Sequence, residues 1–133
     1  MAHEPVIVDS GSLEWETWPD ALTEQRGGVR WKTLLSGDRT PTDTLTLGIA
    51  TLTPGEVLHD HRHEQVELYL VLEGTGEVTI DGGVRAVGPG VAVFLPCGAR
   101  HGIRNTAASE LRLAYVFAAD SFTDVEYDFA PLS

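Results

Sequence analysis

Apolar and polar positions alternate in short runs along most of this chain. Val29, Trp31, Thr33 and Leu35 fall on one side of such a run, and Arg30 and Lys32 on the other. Side chains two apart share a strand face, so this period predicts a strand. Residues 45–53 are rich in threonine and apolar side chains and predict another. Further strands are expected over 67–72, 77–80, 84–87, 91–95, 101–105 and 111–118. Glycine and proline punctuate them at Pro54-Gly55, Gly74-Thr75-Gly76, Gly88-Pro89-Gly90 and Pro96-Cys97-Gly98. Asp81-Gly82 suits the positive φ of a tight hairpin. Residues 6–8 predict a short strand, and 13–18 alternate until Pro19 stops them. The stretch 20–28 is polar and turn-rich, and 125–129 predict a last short strand. No clear amphipathic helix stands out. Short strands at steady spacing predict an all-β sandwich or barrel.

One strand breaks the simple in–out pattern. Glu67, Tyr69 and Val71 share one face of 67–72, and Leu68, Leu70 and Leu72 share the other. Both faces therefore expect burial. A barrel interior takes only one of them. The second needs cover from the other sheet, from the N-terminal segment with Trp15, Trp18 and Trp31, or from another subunit. A homodimer is the expectation.

Composition narrows the function. The chain has 133 residues, which fits one domain, and 42% of them are hydrophobic. A net charge of −11 argues against nucleic acid, which is gripped by clustered lysine and arginine. No apolar run approaches a membrane span, and the first residues lack the pattern of a signal peptide. The single cysteine, Cys97, has no internal partner. The expected compartment is the reducing cytoplasm.

The densest chemistry lies between Gly55 and Gly74, in the segment GEVLHDHRHEQVELYLVLEG. On a continuous strand His61 and His63 point the same way. Glu67 and Tyr69 share that parity unless Glu64–Gln65 is a turn that resets it. Two imidazoles and a carboxylate on one face are a credible ligand set for a first-row metal. His101 follows a Pro-x-Gly turn in a second segment, GVAVFLPCGARHGIRN.

The spacing Gly55, five residues, His61, one, His63, three, Glu67, six, Gly74 resembles the first signature motif of the cupin superfamily. Gly90, five, Pro96, one, Gly98, two, His101, three, Asn105 resembles the second, and every position is filled. The gap between them, 75–89, suits small microbial cupins. The resemblance covers about 50–118 and says little about 1–40. It implies a cupin-type double-stranded β-helix, or jelly-roll barrel, spanning 41–133. Residues 1–40 would be an extension packed on it. His61, His63, Glu67 and His101 would then hold one divalent metal ion. Open coordination positions suit Fe, Mn, Ni, Co or Zn.

The resemblance also implies a metal-dependent enzyme acting on a small polar molecule, by elimination or by dioxygenation. The alternatives are a zinc-type isomerase or N–N bond-forming catalyst, and a ligand-binding sensor without catalysis. Cupin-type dimethylsulfoniopropionate lyases carry a tyrosine at the step after the ligand glutamate, the place of Tyr69. Tyr69 is thus the candidate general base or acid, against the plainer reading of an aromatic that fills the barrel. A sulfonium substrate would favour aromatic walls, for which Trp15, Trp18, Trp31 and Tyr69 are candidates. His59 has the parity of His61 and would be a neighbour of the ligands or a loop residue. Arg100 and Arg104 flank His101 and are candidates to contact a substrate carboxylate. Tyr115 and Phe117 are expected to line the barrel wall, Cys97 to be a small packed residue, and Asn105 to tie a loop.

Overall fold

The computed structural model describes residues 4–131. Eleven strands are assigned there, and they form two antiparallel sheets. The first sheet runs β1 (Glu16–Thr17), β2 (Arg30–Leu35), β3 (Thr46–Leu52), β10 (Leu111–Phe117), β5 (Glu67–Glu73) and β8 (Ala92–Leu95). The second runs β11 (Asp128–Phe129), β4 (Val57–Arg62), β9 (His101–Asn105), β6 (Gly76–Ile80) and β7 (Gly83–Val87). This is a jelly-roll barrel. Its core lies between the sheets, where Leu111, Leu113, Tyr115 and Phe117 of β10 point inward at every second position.

Two expectations are corrected near the N-terminus. Residues 6–8 form no strand, and Ile7 is almost fully exposed. The stretch read as turn-rich holds a helix, α1 (Asp20–Arg26). Asp20 in its first turn and Arg26 in its last complement the helix dipole. Its seven residues are too few to display a helical period, so the sequence pattern could not reveal it. Gly27 ends it at φ 108°, with its Cα against the Val57 carbonyl, a place no side chain fits. Its residue bridges to Leu58 and seats α1 on β4.

β5 behaves as its pattern requires on one face only. Glu67, Tyr69 and Val71 are buried, whereas Leu68, Leu70 and Leu72 are each about half exposed. Leu68 lies beside Phe94 of β8 and Val116 of β10, and Leu70 beside Ala92 and Ala114. The outer face of this sheet is thus apolar over several strands. Among the described residues, neither the second sheet nor the N-terminal segment covers it. Trp15 lies instead against the cationic ends of Lys32, Arg30 and Arg112.

Candidate metal centre

The four residues singled out by spacing come from three strands and the link that follows β4. His61 is near the end of β4, His63 lies just past it, Glu67 opens β5 and His101 opens β9. The Glu64–Gln65 step is a bend, so Glu67 reaches the cluster by a chain reversal and not by continuing one strand. His61 and His101 sit opposite each other in the β4–β9 ladder. One donor atom from each of the four residues lies within 4.8 Å of the others, and all four side chains are buried.

The hydrogen bonds fix which imidazole nitrogen faces inward. His61 Nδ1 lies 2.7 Å from the His59 carbonyl, His63 Nδ1 3.0 Å from that of Gln65, and His101 Nδ1 2.9 Å from that of Ala99. A carbonyl only accepts, so each Nδ1 carries the proton, and a neutral ring turns its Nε2 lone pair to the centre. His63 Nε2 and His101 Nε2 both lie 3.1 Å from Glu67 Oε1. A lone pair facing a carboxylate oxygen is repulsive unless a cation stands between them. A metal ion between the four donors would supply that cation. Backbone-anchored histidines of this kind are the usual way to orient metal ligands. The donor set, three nitrogens and one oxygen, therefore fits a divalent metal, and the cluster can hold one.

Burial pushes His61 well below the ordinary histidine value, and the neighbouring His101 and His63 add to this. A ring that resists protonation keeps its lone pair available for a metal.

A cavity of about 40 Å³ adjoins the cluster, walled chiefly by Trp18, Trp31, Tyr69, Tyr115, Phe122 and Tyr127. Tyr69 is buried with its ring 6.0 Å from that of His101. Tyr115 and Phe117 line the wall as expected. Tyr127 was not singled out by the sequence reading. Its ring stands 5.2 Å from His61 and 5.6 Å from His63. The usable signal was the alternation Val125, Tyr127, Phe129 in the tail. Burial, and then the charge of Glu67, push both Tyr69 and Tyr127 well above the usual tyrosine range. Among the described residues neither hydroxyl has a hydrogen-bond partner.

Other candidates lie elsewhere. The β4–β9 register shifts between Leu58 and His61, so parity does not carry back to His59. His59 is exposed and lines a groove on the outer face of the second sheet, together with Arg104. Arg100 reaches the Asp128 carbonyl and carboxylate instead of the cavity. Cys97 is exposed, not packed. Asn105 does tie a loop, donating to the Leu52 and Ser109 carbonyls and accepting from the Ala107 amide.

Fold and donor set together define a class. Residues 48–117 match the model of the cupin domain family, and the chain belongs to that family. It is 41% identical over 130 residues to the dimethylsulfoniopropionate lyase DddW of Ruegeria pomeroyi, covering 97% of this chain and 82% of that protein. It is 36% identical over 75 residues to a 5-nitrosalicylic acid 1,2-dioxygenase from a Bradyrhizobium species, covering 56% of this chain and 36% of the other. Among solved structures, the polyketide cyclase RemF of Streptomyces resistomycificus superposes with a TM-score of 0.77 at 22% identity, over 98% of this chain and 88% of that one. A structure of the lyases RdDddP and RnDddQII gives 0.71 at 19% identity, over 90% and 63%. These two show the shared fold. The sequence relatives agree with an enzyme of the lyase or dioxygenase kind. No helix among the described residues is long and apolar enough to cross a membrane.

Proposed function

We propose that this chain is a metal-dependent lyase that eliminates a leaving group from a small zwitterion of the dimethylsulfoniopropionate kind. The observation that carries the reading is Tyr69, a buried tyrosine without a protein hydrogen bond, in the same cavity as Glu67 and His61. The extended similarity to the DddW lyase supports the choice of reaction.

His61, His63, Glu67 and His101 would hold the ion, with Fe, Mn, Ni, Co or Zn all suited to three imidazoles and a carboxylate. A divalent cation there supplies positive charge that steadies a substrate carboxylate and the negative charge developing beside it. Tyr69 takes the proton next to the carboxylate, the carbon–sulfur bond breaks, and dimethyl sulfide leaves as the double bond forms. The protein's own groups hold Tyr69 in its protonated form, because burial and Glu67 both oppose the tyrosinate. A nearby cation has the opposite effect, so base action by Tyr69 depends on the loaded site. Trp18, Trp31 and Tyr127 present ring faces and edges to the cationic sulfonium end.

Headspace detection of dimethyl sulfide from the metal-loaded protein tests this directly. Tyr69→Phe should lower kcat by about 100-fold or more, the usual worth of general acid–base help. Full activity in that variant would remove tyrosine as the base. The similarity to the 1,2-dioxygenase supports a second reading, oxygen chemistry at the same ligands, which oxygen uptake with Fe(II) separates from elimination.

The apolar outer face built on Leu68, Leu70, Leu72 and Phe94 supports a homodimer through that sheet. Residues 41–133 are read as the barrel that carries the site, and residues 1–40 as the extension that brings Trp18 and Trp31 to its wall. An unpaired, exposed Cys97 suits a reducing cytoplasm.

A further inference from the structure

The cavity beside the four clustered residues is narrow. Its volume of about 40 Å³ holds a few water molecules and no substrate, since ligand pockets run to about 300 Å³ or more. Some part of the wall must move. Most of that wall is strand, fixed by its ladder. Phe122 and Tyr127 belong to the tail, but the Phe122 amide donates to Ser36 Oγ, the Gly37 amide to the Asp120 carbonyl, and β11 pairs with β4.

Trp18 is held differently. It lies between β1 and α1, outside any ladder, and its buried Nε1 has no hydrogen-bond partner. On its far side is a solvent-open groove of about 290 Å³, lined by Thr17, Asp20, Thr23 and Glu56 among others. Trp18 lines both spaces. Turning its ring into the groove would join them and break no hydrogen bond of its side chain. What opposes that turn is ring packing. Trp31 lies 4.6 Å away, and the Arg26 guanidinium sits 4.6 Å from the Trp18 ring and 4.9 Å from that of Phe129. Arg26 Nε is buried without a partner, and no carboxylate pairs with the guanidinium among the described residues. Its charge is satisfied by ring faces, an attraction that both holds Trp18 and can be given up reversibly.

We propose that Trp18 is the gate of the metal centre, that the groove outside it is the entry vestibule, and that Arg26 is the positioning residue that keeps the gate shut. The reading of the site as a lyase is not needed for this, and the test uses neither metal nor turnover. Ala50 is buried and lines the cavity. In a Cys97→Ser background, Ala50→Cys places a thiol inside, and its labelling by a small methanethiosulfonate in EDTA reads the opening of the wall. Trp18→Ala and Arg26→Met are each expected to speed labelling about tenfold, while Arg26→Lys, which keeps a cation over the rings, stays near the parent rate. A thiol at Val78, in the core but outside the cavity, should not respond. Unchanged labelling in Trp18→Ala would overturn the gate. Equal acceleration by Arg26→Met and Arg26→Lys, or by neither, would overturn the role of Arg26. Equal acceleration at Val78→Cys would show global loosening and overturn both.

Discussion

Glu67→Gln separates a metal site from a polar core in one substitution. In the metal-free protein, Glu67 Oε1 faces Nε2 of His63 and of His101, each at 3.1 Å. With each Nδ1 donating to a backbone carbonyl, those nitrogens offer lone pairs to an acceptor. A glutamine of the same shape offers N–H donors instead. One such bond contributes about 1 kcal/mol net. The variant without metal should therefore match the parent or melt higher by a few degrees. With metal the order reverses. At free metal a thousandfold above the dissociation constant, the parent gains about 4 kcal/mol by mass action. For a chain of this length that is about 12–20 °C in Tm, at roughly 3–5 °C per kcal/mol. The variant, lacking the anionic ligand, should lose most of that gain.

The assay is a thermal melt of both proteins in EDTA and then in rising Fe(II), Mn(II), Ni(II), Co(II) or Zn(II), under argon for iron. The crossing of the two orders is the expected signature. If Glu67→Gln costs the same stability with and without metal, the cluster is only a buried polar core. If no metal moves the parent's Tm from micromolar to millimolar, the donor set does not bind these ions.

Three further outcomes follow from single features. Leu70→Glu, on the exposed apolar face, should leave the melting temperature within about 1–2 °C of the parent while shifting the sedimentation coefficient to that of a monomer; an unchanged coefficient would place the dimer elsewhere or remove it. For His61 the folded state refuses a proton that the unfolded chain accepts near the ordinary histidine value. Stability of the metal-free protein should thus fall as pH drops below about 6.5 toward the depressed folded value, and urea midpoints at pH 7.5 and 5.5 check this, with His61→Asn flattening the difference. Gly48→Ala would set a methyl against the Tyr115 hydroxyl and the Lys32 carbonyl, so it should cost about 1–3 kcal/mol and displace Tyr115 from the cavity wall, read by the melt and by tyrosine near-ultraviolet dichroism.

How legible this molecule was depended on whether a feature repeats with a fixed period. β10 and the inner face of β5 could be read because Leu111, Leu113, Tyr115 and Phe117, or Glu67, Tyr69 and Val71, step two by two. The cluster of His61, His63, Glu67 and His101 was legible for another reason: residue types and spacings able to hold a metal stand in the sequence itself. The placement of His59 was not legible, because local geometry there breaks the period. A shift in the β4–β9 register turns His59 out to solvent while His61 stays in. The helix α1 gave no period because it is only two turns long.

Tyr127 shows the deeper limit. It reaches the histidines because β11 returns to β4, pairing Phe129 with His61, across more than sixty residues of sequence. No local pattern encodes that return. The same holds for the contact between Arg26 and Phe129, which joins the two ends of the described chain over Trp18. The motif residues therefore specify what the centre can bind. The two ends of the chain, which lie outside both motifs, build the wall that decides what reaches it. Relatives that share the four ligands but differ at the positions of Trp18, Arg26 and Tyr127 should accordingly share metal affinity and differ in substrate. Exchanging these three side chains between two such relatives should move substrate preference and leave the metal dissociation constants within about threefold.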